Sequence, residues 1–439
     1  MTTDIGIGVH TLRIPDDIAR TIMTAEKWDQ VDEVIYPAGR WLRQNMPIGR
    51  GYVEGYDPVW IVSKHALVRE IYKDLETFHT GDQNFILVTQ EGDDYLRSIL
   101  GGTTTSPIDN LTPMDPPFHA GHRAAQADAF TVEAILKYED DFRELARRSV
   151  DNFISTGGRC DAVAALTHHY PLRVMMQMMD VPESDFALME KLTQETFGGD
   201  DPEIIKDSGT EQVSPETSAR LWLEAVDGFY DYFDAIVQDR HANPRDDIAT
   251  RVVCGRLPDG AFMTPKRQNH MLSSLAIAGH DTVNMALASG LLGLARHPDQ
   301  LAAVKADPRL IPGLVDESNR YGTPTKHIMR SATRDVDFHG VHFAKGDRIM
   351  MLLFSANMDE GIFPNPESFD VTRRPNPHLT FGFGRHVCMG MHIAKIEMRI
   401  LFEELLPRIS TLELDGPFRR KRANFVTSIK TLPVRFTVA

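Results

Sequence analysis

A single cysteine lies in a glycine-rich segment immediately before a predicted helix. The segment reads Phe-Gly-Phe-Gly-Arg-His-Val-Cys-Met-Gly from Phe381 to Gly390, and its cysteine is Cys388. Because the N-terminus of a helix stabilises an anion, we expect a lowered pKa and an available thiolate at Cys388. Gly382, Gly384 and Gly390 would allow positive φ angles and the close approach of a flat ligand. A thiolate shielded by such a loop is suited to be the axial ligand of an iron ion.

Three histidines near Cys388 permit a competing interpretation as a zinc site. His386 and His392 are close to the cysteine in sequence, and His378 would supply a fourth ligand. Structural zinc sites usually pair their ligands at regular short spacings, which this segment lacks. An iron–sulfur cluster takes mostly cysteine ligands, and three scattered cysteines are too few for it. The residues alone therefore favour thiolate-ligated iron over zinc.

A second candidate position is an acid beside an alcohol in a long stretch of uncharged residues. Asp281 is the only formally charged residue in the range 268–295, and Thr282 follows it. A buried carboxylate is costly unless it is paired or functional, so Asp281 is a candidate for proton chemistry. A threonine hydroxyl in a helix often bonds the carbonyl four residues earlier, here that of Ala278. If that bond is loosened, a groove opens beside Gly279.

Helices predominate in the segments that must position these residues. Helical patterns follow one another from 131 to 245, and residues 265–297 form one long helix of about 45–50 Å. Another helix is predicted over 388–406. Residues 80–113 are rich in Gly, Thr, Asp and Asn, which predicts a long loop with one short helix, and 323–355 has the β-branched content of short strands. We therefore predict a mainly α fold with small β sheets.

Composition and charge limit the class of protein. The chain has 439 residues, a formal net charge of −15 and 42% hydrophobic residues, as in a soluble globular protein. The acidic balance argues against a nucleic-acid partner. The three cysteines (Cys160, Cys254 and Cys388) imply no disulfide framework, and the chain shows neither a secretory signal nor a membrane span, so we expect a cytoplasmic protein. Residues 1–35 are expected to be a loosely packed N-terminal arm, and 36–439 one ligand-enclosing domain.

These segments together resemble the cytochrome P450 family. The Cys388 loop resembles the family's haem-binding signature, and residues 278–282 (Ala-Gly-His-Asp-Thr) resemble the oxygen-activation motif of its central helix. Residues 317–320 resemble its Glu-x-x-Arg pair, and residues 119–123 resemble the segment that holds haem propionates in bacterial members. The likeness covers almost the whole chain and is greatest to the soluble bacterial subfamily typified by the α-terpineol hydroxylase.

The resemblance implies the cytochrome P450 fold, a single haem-thiolate domain, and a role for each matching residue. Cys388 would be the axial ligand of the iron in haem b, and Asp281 and Thr282 would be the catalytic pair that delivers protons. The residues expected to bind the cofactor are His119, Arg123, Gly279, Arg330, His386 and Cys388. The residues expected to form a buried structural triad are Glu317, Arg320 and Arg373.

The substrate pocket is expected on the face of the haem opposite Cys388. The candidates by position are Leu275, Phe197, Thr323, Ile328 and Val426. Most are apolar or small, which favours a compact hydrophobic substrate. The methionine-rich run at 174–179 is expected to fill the core instead, and His122, His168 and His169 to be ordinary polar residues.

The leading hypothesis is a haem-thiolate monooxygenase that hydroxylates a monoterpenoid or an alkyl- or polycyclic aromatic compound with O₂. Electrons would come from NAD(P)H through a ferredoxin reductase and a 2Fe–2S ferredoxin, because no redox domain is fused to this chain. We expect a monomer that binds neither nucleic acid nor membrane, with Arg385 helping to dock the ferredoxin.

Two alternatives remain open. One is a peroxide-driven haem-thiolate peroxygenase, but peroxide-driven members of the family typically lack the acid–alcohol pair. The other is a non-catalytic haem sensor or ligand-binding protein, for which no output domain is visible.

Overall fold

Helices make up most of the chain in the computed structural model, which describes residues 12–101, 108–197, 201, 203 and 214–439. The helices are α1 Asp16–Met23, α2 Tyr36–Asn45, α3 His65–Lys73, α4 Gln90–Leu100, α5 Phe118–Ala124, α6 Val132–Leu136, α7 Glu139–Ser155, α8 His169–Met179, α9 Phe186–Phe197, α10 Pro215–Ala242, α11 Ile248–Val253, α12 Pro265–Arg296, α13 Pro298–Ala306, α14 Ile311–Gly322, α15 Leu353–Ala356 and α16 Met391–Leu405. The prediction of a mainly α fold is confirmed.

Short strands form small sheets beside the helices. They are β1 Ile48–Gly51, β2 Val59–Val62, β3 Phe78–His79, β4 Arg159–Asp161, β5 His327–Ala332, β6 Val336–Phe338, β7 Val341–Phe343, β8 Arg348–Leu352, β9 Ile409–Leu414, β10 Arg419–Arg420, β11 Ile429–Thr431 and β12 Pro433–Val438. The largest sheet has the order β1-β2-β8-β5-β3, and only its β2–β8 pair is parallel. The sheet presents Arg330 of β5, paired with Ile349, towards the functional site described below.

The long helix α12 lies at the centre of the helical part. The Thr264 hydroxyl accepts a hydrogen bond from the N–H of Arg267, and Pro265 occupies the first turn, so the helix has a capped start. It ends at Arg296 because Pro298 follows. Most of its side chains are buried, and it packs on α8, α9, α10 and α14. This burial explains the uncharged stretch in the sequence.

The N-terminal arm is firmly packed where the structure describes it. Ile14, Ile22 and Trp28 are fully buried, and the Trp28 ring meets the Phe354 ring edge to face at 5.3 Å. The expectation of loose packing therefore does not hold for residues 12–35, because their apolar faces cover one side of the largest sheet. The domain division at residue 35 stays a prediction.

No described helix combines the length and the apolar character that a lipid bilayer requires.

Candidate active site

A large cavity is bounded by the Cys388 loop (residues 381–390) and by α12. Its volume is about 620 Å³, and its walls are mostly apolar. One side is formed by the Cys388 loop and another by the face of α12 that carries Ala278, Gly279 and Thr282. Further side chains come from residues 80–130, 319–330 and 423–426 and from the helices α8, α9, α10 and α16. The fold thus brings the two chemical motifs of the sequence to one space.

The Cys388 loop turns sharply before its helix. Gly382 and Gly384 have φ angles of 72° and 69°, values that strain a residue with a Cβ atom. The N–H of Cys388 donates to the carbonyl of Phe381 at 2.8 Å, which fixes the cysteine at the cavity wall. The helix begins only at Met391, so Cys388 precedes it by one turn instead of capping it.

The expectation of a lowered pKa at Cys388 is wrong for the polypeptide alone. The Cys388 side chain is open to the cavity. Its depth inside the protein nevertheless raises the pKa of the thiol, and the N–H groups of Gly390 and Met391 and the charge of Arg123 offset that rise only in part. The sequence indicates the helix N-terminus but not the loss of hydration, which here outweighs the N–H groups that reach the sulfur. A metal ion would remove the thiol proton, because a coordinating thiol is bound as the thiolate.

Four basic side chains converge on the cavity next to the loop: His119, Arg123, Arg330 and His386. The rings of His119 and His386 stack at 4.2 Å. Burial, then the charge of Arg123, lowers the pKa of His119 to about 4, and burial, then the charge of Arg330, lowers that of His386 to about 2. The Nε2 atoms of both rings and Nε of Arg330 are buried and have no hydrogen-bond partner among the described residues.

Such unsatisfied polar atoms around two arginines are costly without an anion. The group therefore fits a ligand that brings carboxylates to the edge of the cavity and a metal ion to Cys388, as haem does. The positions predicted for the propionate partners and the axial ligand are thus brought together.

The acid–alcohol pair on α12 is split between two environments. Thr282 lines the cavity, and its hydroxyl donates to the carbonyl of Ala278 at 2.6 Å, as the sequence predicted. Asp281 is buried outside the cavity lining, where its Oδ2 accepts a hydrogen bond from Lys421 Nζ at 3.0 Å. Burial alone would raise the pKa of Asp281, but Lys421 and then His280 and His168 hold it below its ordinary value. Asp281 is therefore an ionised, paired carboxylate.

Sequence reasoning did not find Lys421, which lies 140 residues from Asp281. It also missed Glu397, a cavity-lining residue of α16. Both carboxylate oxygens of Glu397 are buried without a hydrogen-bond partner in the described structure, and burial raises its pKa well above the ordinary value. A signal was available for Glu397, because it lies on the apolar face of α16 with Ala394 and Leu401.

The residues predicted to form the structural triad, Glu317, Arg320 and Arg373, are in contact through the Glu317 carboxylate. Arg320 Nη2 and Nε donate to the two oxygens of Glu317 at 2.6 and 2.8 Å, and both side chains are fully buried. Arg373 Nε is 3.2 Å from Glu317 Oε2, and Asn376 Nδ2 donates to the same oxygen. The triad joins α14 to the segment that leads into the Cys388 loop.

Three of the five residues predicted to contact the substrate lie in the cavity wall. Leu275, Ile328 and Val426 line the cavity. Thr323 does not: its hydroxyl donates to the carbonyl of Arg320 at 2.7 Å and accepts from the Asn357 side chain, which turns it away.

Phe197 ends α9, and its side chain lies outside the described part of the structure. The expectation that the 174–179 run serves only as core filler also needs correction, because Met175 lines the cavity beside Gly279. A Cβ atom at position 279 would lie 2.5 Å from the Met175 sulfur, so a larger residue there would displace the Met175 side chain.

The zinc interpretation finds no support in this geometry. Among the described residues, the His, Cys, Asp and Glu clusters close enough to hold a metal ion include none of His378, His386, Cys388 and His392. His378 lies instead 3.9 Å from Asp316 and packs against Phe381.

Comparisons with known proteins identify the family. The family model described as cytochrome P450 matches residues 55–434. The chain is 43% identical to cytochrome P450-terp of a Pseudomonas species, over 97% of this chain and 99% of that one. The crystal structure of CYP108D1 from Novosphingobium aromaticivorans superposes with a TM-score of 0.88 at 33% identity, covering 97% of this chain and all of that chain. CYP268A2 of Mycobacterium marinum, solved in complex with pseudoionone, superposes with a TM-score of 0.80 at 26% identity, over 92% of this chain and 94% of the other.

The chain belongs to the cytochrome P450 family and is a haem-dependent monooxygenase.

Proposed function

We propose that this monooxygenase hydroxylates a compact hydrophobic substrate, a monoterpenoid or an alkyl- or polycyclic aromatic compound. The observation that carries the proposal is the cavity of about 620 Å³, whose mostly apolar walls place Thr282 and Cys388 around one space. An apolar cavity of this kind binds by removing hydrocarbon from water and needs few polar contacts. The identity of 43% to cytochrome P450-terp and the likeness to a pseudoionone-binding relative support a terpenoid-like substrate.

The side chains around the cavity have distinct tasks in this proposal. Cys388 would hold the iron, and His119, Arg123, Arg330 and His386 would bind the propionates. Bound haem supplies the redox chemistry that activates O₂. Thr282 would present its hydroxyl proton in the cavity, and Asp281 would renew that proton. Because Asp281 is paired with Lys421, it must exchange this partner to take up a proton.

The optical titration of the holoenzyme with a ligand panel tests the substrate class. The panel should contain monoterpenes, alkylbenzenes and polycyclic arenes, with a fatty acid and a bulky steroid as controls. We expect small terpenoids or arenes to shift the Soret band at micromolar concentration and to yield hydroxylated products with ferredoxin, reductase and NADH. A response confined to the fatty acid or the steroid would refute the substrate class, and peroxide turnover above ferredoxin-driven turnover would favour a peroxygenase.

Electrons would come from NAD(P)H through a ferredoxin reductase and a 2Fe–2S ferredoxin that docks beside the Cys388 loop. Arg385 of the loop and Lys73 of α3 are exposed, and Arg69 lies 4.3 Å from the Phe383 ring centroid. These cations form a local positive surface on a chain with a net charge of −15, which suits an acidic partner.

We predict that Arg385→Glu lowers the rate of electron transfer from an acidic ferredoxin and reduces its dependence on salt. Charge at the rim of an interface acts mainly on the association rate, so the loss should be about tenfold at low salt. Stopped-flow reduction at several ionic strengths measures it, with Arg309→Glu on an exposed segment as the control. Unchanged rates and salt dependence in Arg385→Glu would refute this docking surface.

A further inference from the structure

Metal-binding side chains cluster on α8 and α9, outside the cavity. His168 Nε2 and His169 Nε2 lie 3.0 and 3.1 Å from the same oxygen, Oε1 of Glu190. Gln194, one turn further along α9, brings its amide nitrogen to 3.2 Å from His168 Nε2. The ligand atoms of the two histidines and the glutamate lie within 4.8 Å of one another. The sequence predicts ordinary polar residues at His168 and His169 and does not indicate this convergence.

With the Gln194 amide in this orientation, the hydrogen bonds of the cluster cannot all be satisfied at once. An imidazole Nε2 has one in-plane position, which holds either a proton or a lone pair. With a proton, His168 can donate to Glu190 but faces the N–H of Gln194 as a second donor. With a lone pair, it can accept from Gln194 but faces the Glu190 carboxylate as a second acceptor.

A cation removes this conflict, because it takes lone pairs from both histidines and from Glu190 together. Turning the Gln194 amide by 180° also removes the conflict, and it would offer the amide oxygen to a bound ion as a fourth donor atom.

We propose that His168, His169 and Glu190 bind one divalent first-row metal ion, with Zn²⁺ the best match. Two imidazole nitrogens and one carboxylate oxygen are a known zinc ligand set that leaves an open position. The N–O separations of 3.0 and 3.1 Å are close to the roughly 3.3 Å that a tetrahedral ion with bonds of about 2.0–2.1 Å requires. The ligand atoms of the two histidines lie within 4.8 Å of each other and would have to approach to about the same separation.

The cluster is accessible to an ion from solvent. The side chain of His169 is 43% exposed and that of Glu190 is 26% exposed, whereas His168 is mostly buried at 17%. The ion would join α8 to α9, the helix that carries the cavity-lining residue Thr196. Its binding should therefore stabilise that wall of the cavity.

Isothermal titration of the chelator-treated holoenzyme with ZnCl₂ tests the proposal. We expect one Zn²⁺ per chain, no competition from Mg²⁺, and a rise in Tm of about 3 °C at a hundredfold excess over Kd. His169→Ala and the nearly isosteric Glu190→Gln should each weaken binding by about tenfold or more and remove the Tm shift. His342→Ala is the matched control, because His342 contacts only one carboxylate, that of Asp337 at 3.0 Å, among its ion-pair contacts.

The proposal is overturned if Zn²⁺ gives neither heat nor a Tm shift. It is equally overturned if both cluster variants keep wild-type affinity, or if His342→Ala loses the site. The reduced CO spectrum of each variant shows that the variant is folded, and Glu190→Gln keeps the test valid if His169→Ala is unstable.

Discussion

Asp281 and Thr282 are neighbours in sequence, but their side chains lie in different surroundings. The threonine hydroxyl faces the cavity and is held by a helix carbonyl, whereas the aspartate is buried in an ion pair. The hydroxyl can therefore act on a ligand directly, and the acid can act only through a change of partner. Replacing Thr282 should therefore affect the reaction, whereas breaking the ion pair of Asp281 should affect stability.

Thr282→Ala should uncouple electron use from product formation. The cavity and the cysteine loop remain, so NADH is still consumed, but the hydroxyl proton is missing. We expect product per NADH to fall by about tenfold or more, with hydrogen peroxide in its place, as expected for the loss of a proton-transfer group. Thr282→Ser, which keeps the hydroxyl, is the control. Full coupling in Thr282→Ala would contradict the assigned role.

Lys421→Met should lower the free energy of unfolding by about 3–5 kcal/mol, because it leaves the buried Asp281 carboxylate without its cation. The double variant Asp281→Asn with Lys421→Met removes both charges and should recover most of that loss. Urea unfolding of the holoenzyme forms gives the comparison. If the single variant is as stable as wild type, Lys421 does not compensate Asp281 in solution.

Among the elements, α12 and the Cys388 loop were the most predictable. The uncharged stretch and the flanking prolines indicate a long buried helix, and the glycines indicate the turn at Cys388, because both effects act within a few residues. Contacts between distant segments follow from packing, and no local pattern contains them. The ion pair of Asp281 with Lys421 and the turning away of Thr323 are of this kind. The helix α16 was predicted, but its start at Met391 was not, since helix boundaries depend on contacts with neighbouring segments.

Glu317→Gln should loosen the connection between α14 and the segment before the Cys388 loop. It leaves the buried Arg320 guanidinium without a counter-charge, which we expect to cost about 3–5 kcal/mol and to lower haem content on purification. Glu413→Gln is the matched control, because that exposed acid pairs with the exposed Arg435 and should cost within about 1 kcal/mol. Haem per chain and the reduced CO spectrum provide the measurement. Equal haem retention in both variants would contradict a structural role for the triad.

Over the whole molecule, buried apolar residues form separate clusters on the helical side and on the sheet side. The N-terminal residues belong to a sheet-side cluster, although their sequence suggested a loose arm. The spacing of apolar residues in a short helix such as α1 does not show which surface the helix will pack against. The packing of the arm on the sheet could therefore not be predicted from the sequence.

Trp28→Ala tests that packing. Trp28 is fully buried against Phe354, and truncating it should lower the free energy of unfolding by about 3–5 kcal/mol. Trp41→Ala, at a half-buried position of α2, should cost clearly less. Thermal and urea unfolding of the two variants supply the comparison, and a Trp28→Ala protein as stable as Trp41→Ala would show that the arm is loose after all.

The meeting of Gly279 with Met175 has a consequence for selectivity. The flexible thioether side chain of Met175 forms part of the cavity wall, and it fills the space that a Cβ atom at position 279 would need. The Met175 side chain can change its rotamer at little energetic cost, so the cavity can accommodate substrates of different shape. The enzyme should therefore tolerate a family of related skeletons and give mixtures of positional isomers with the poorer-fitting ones.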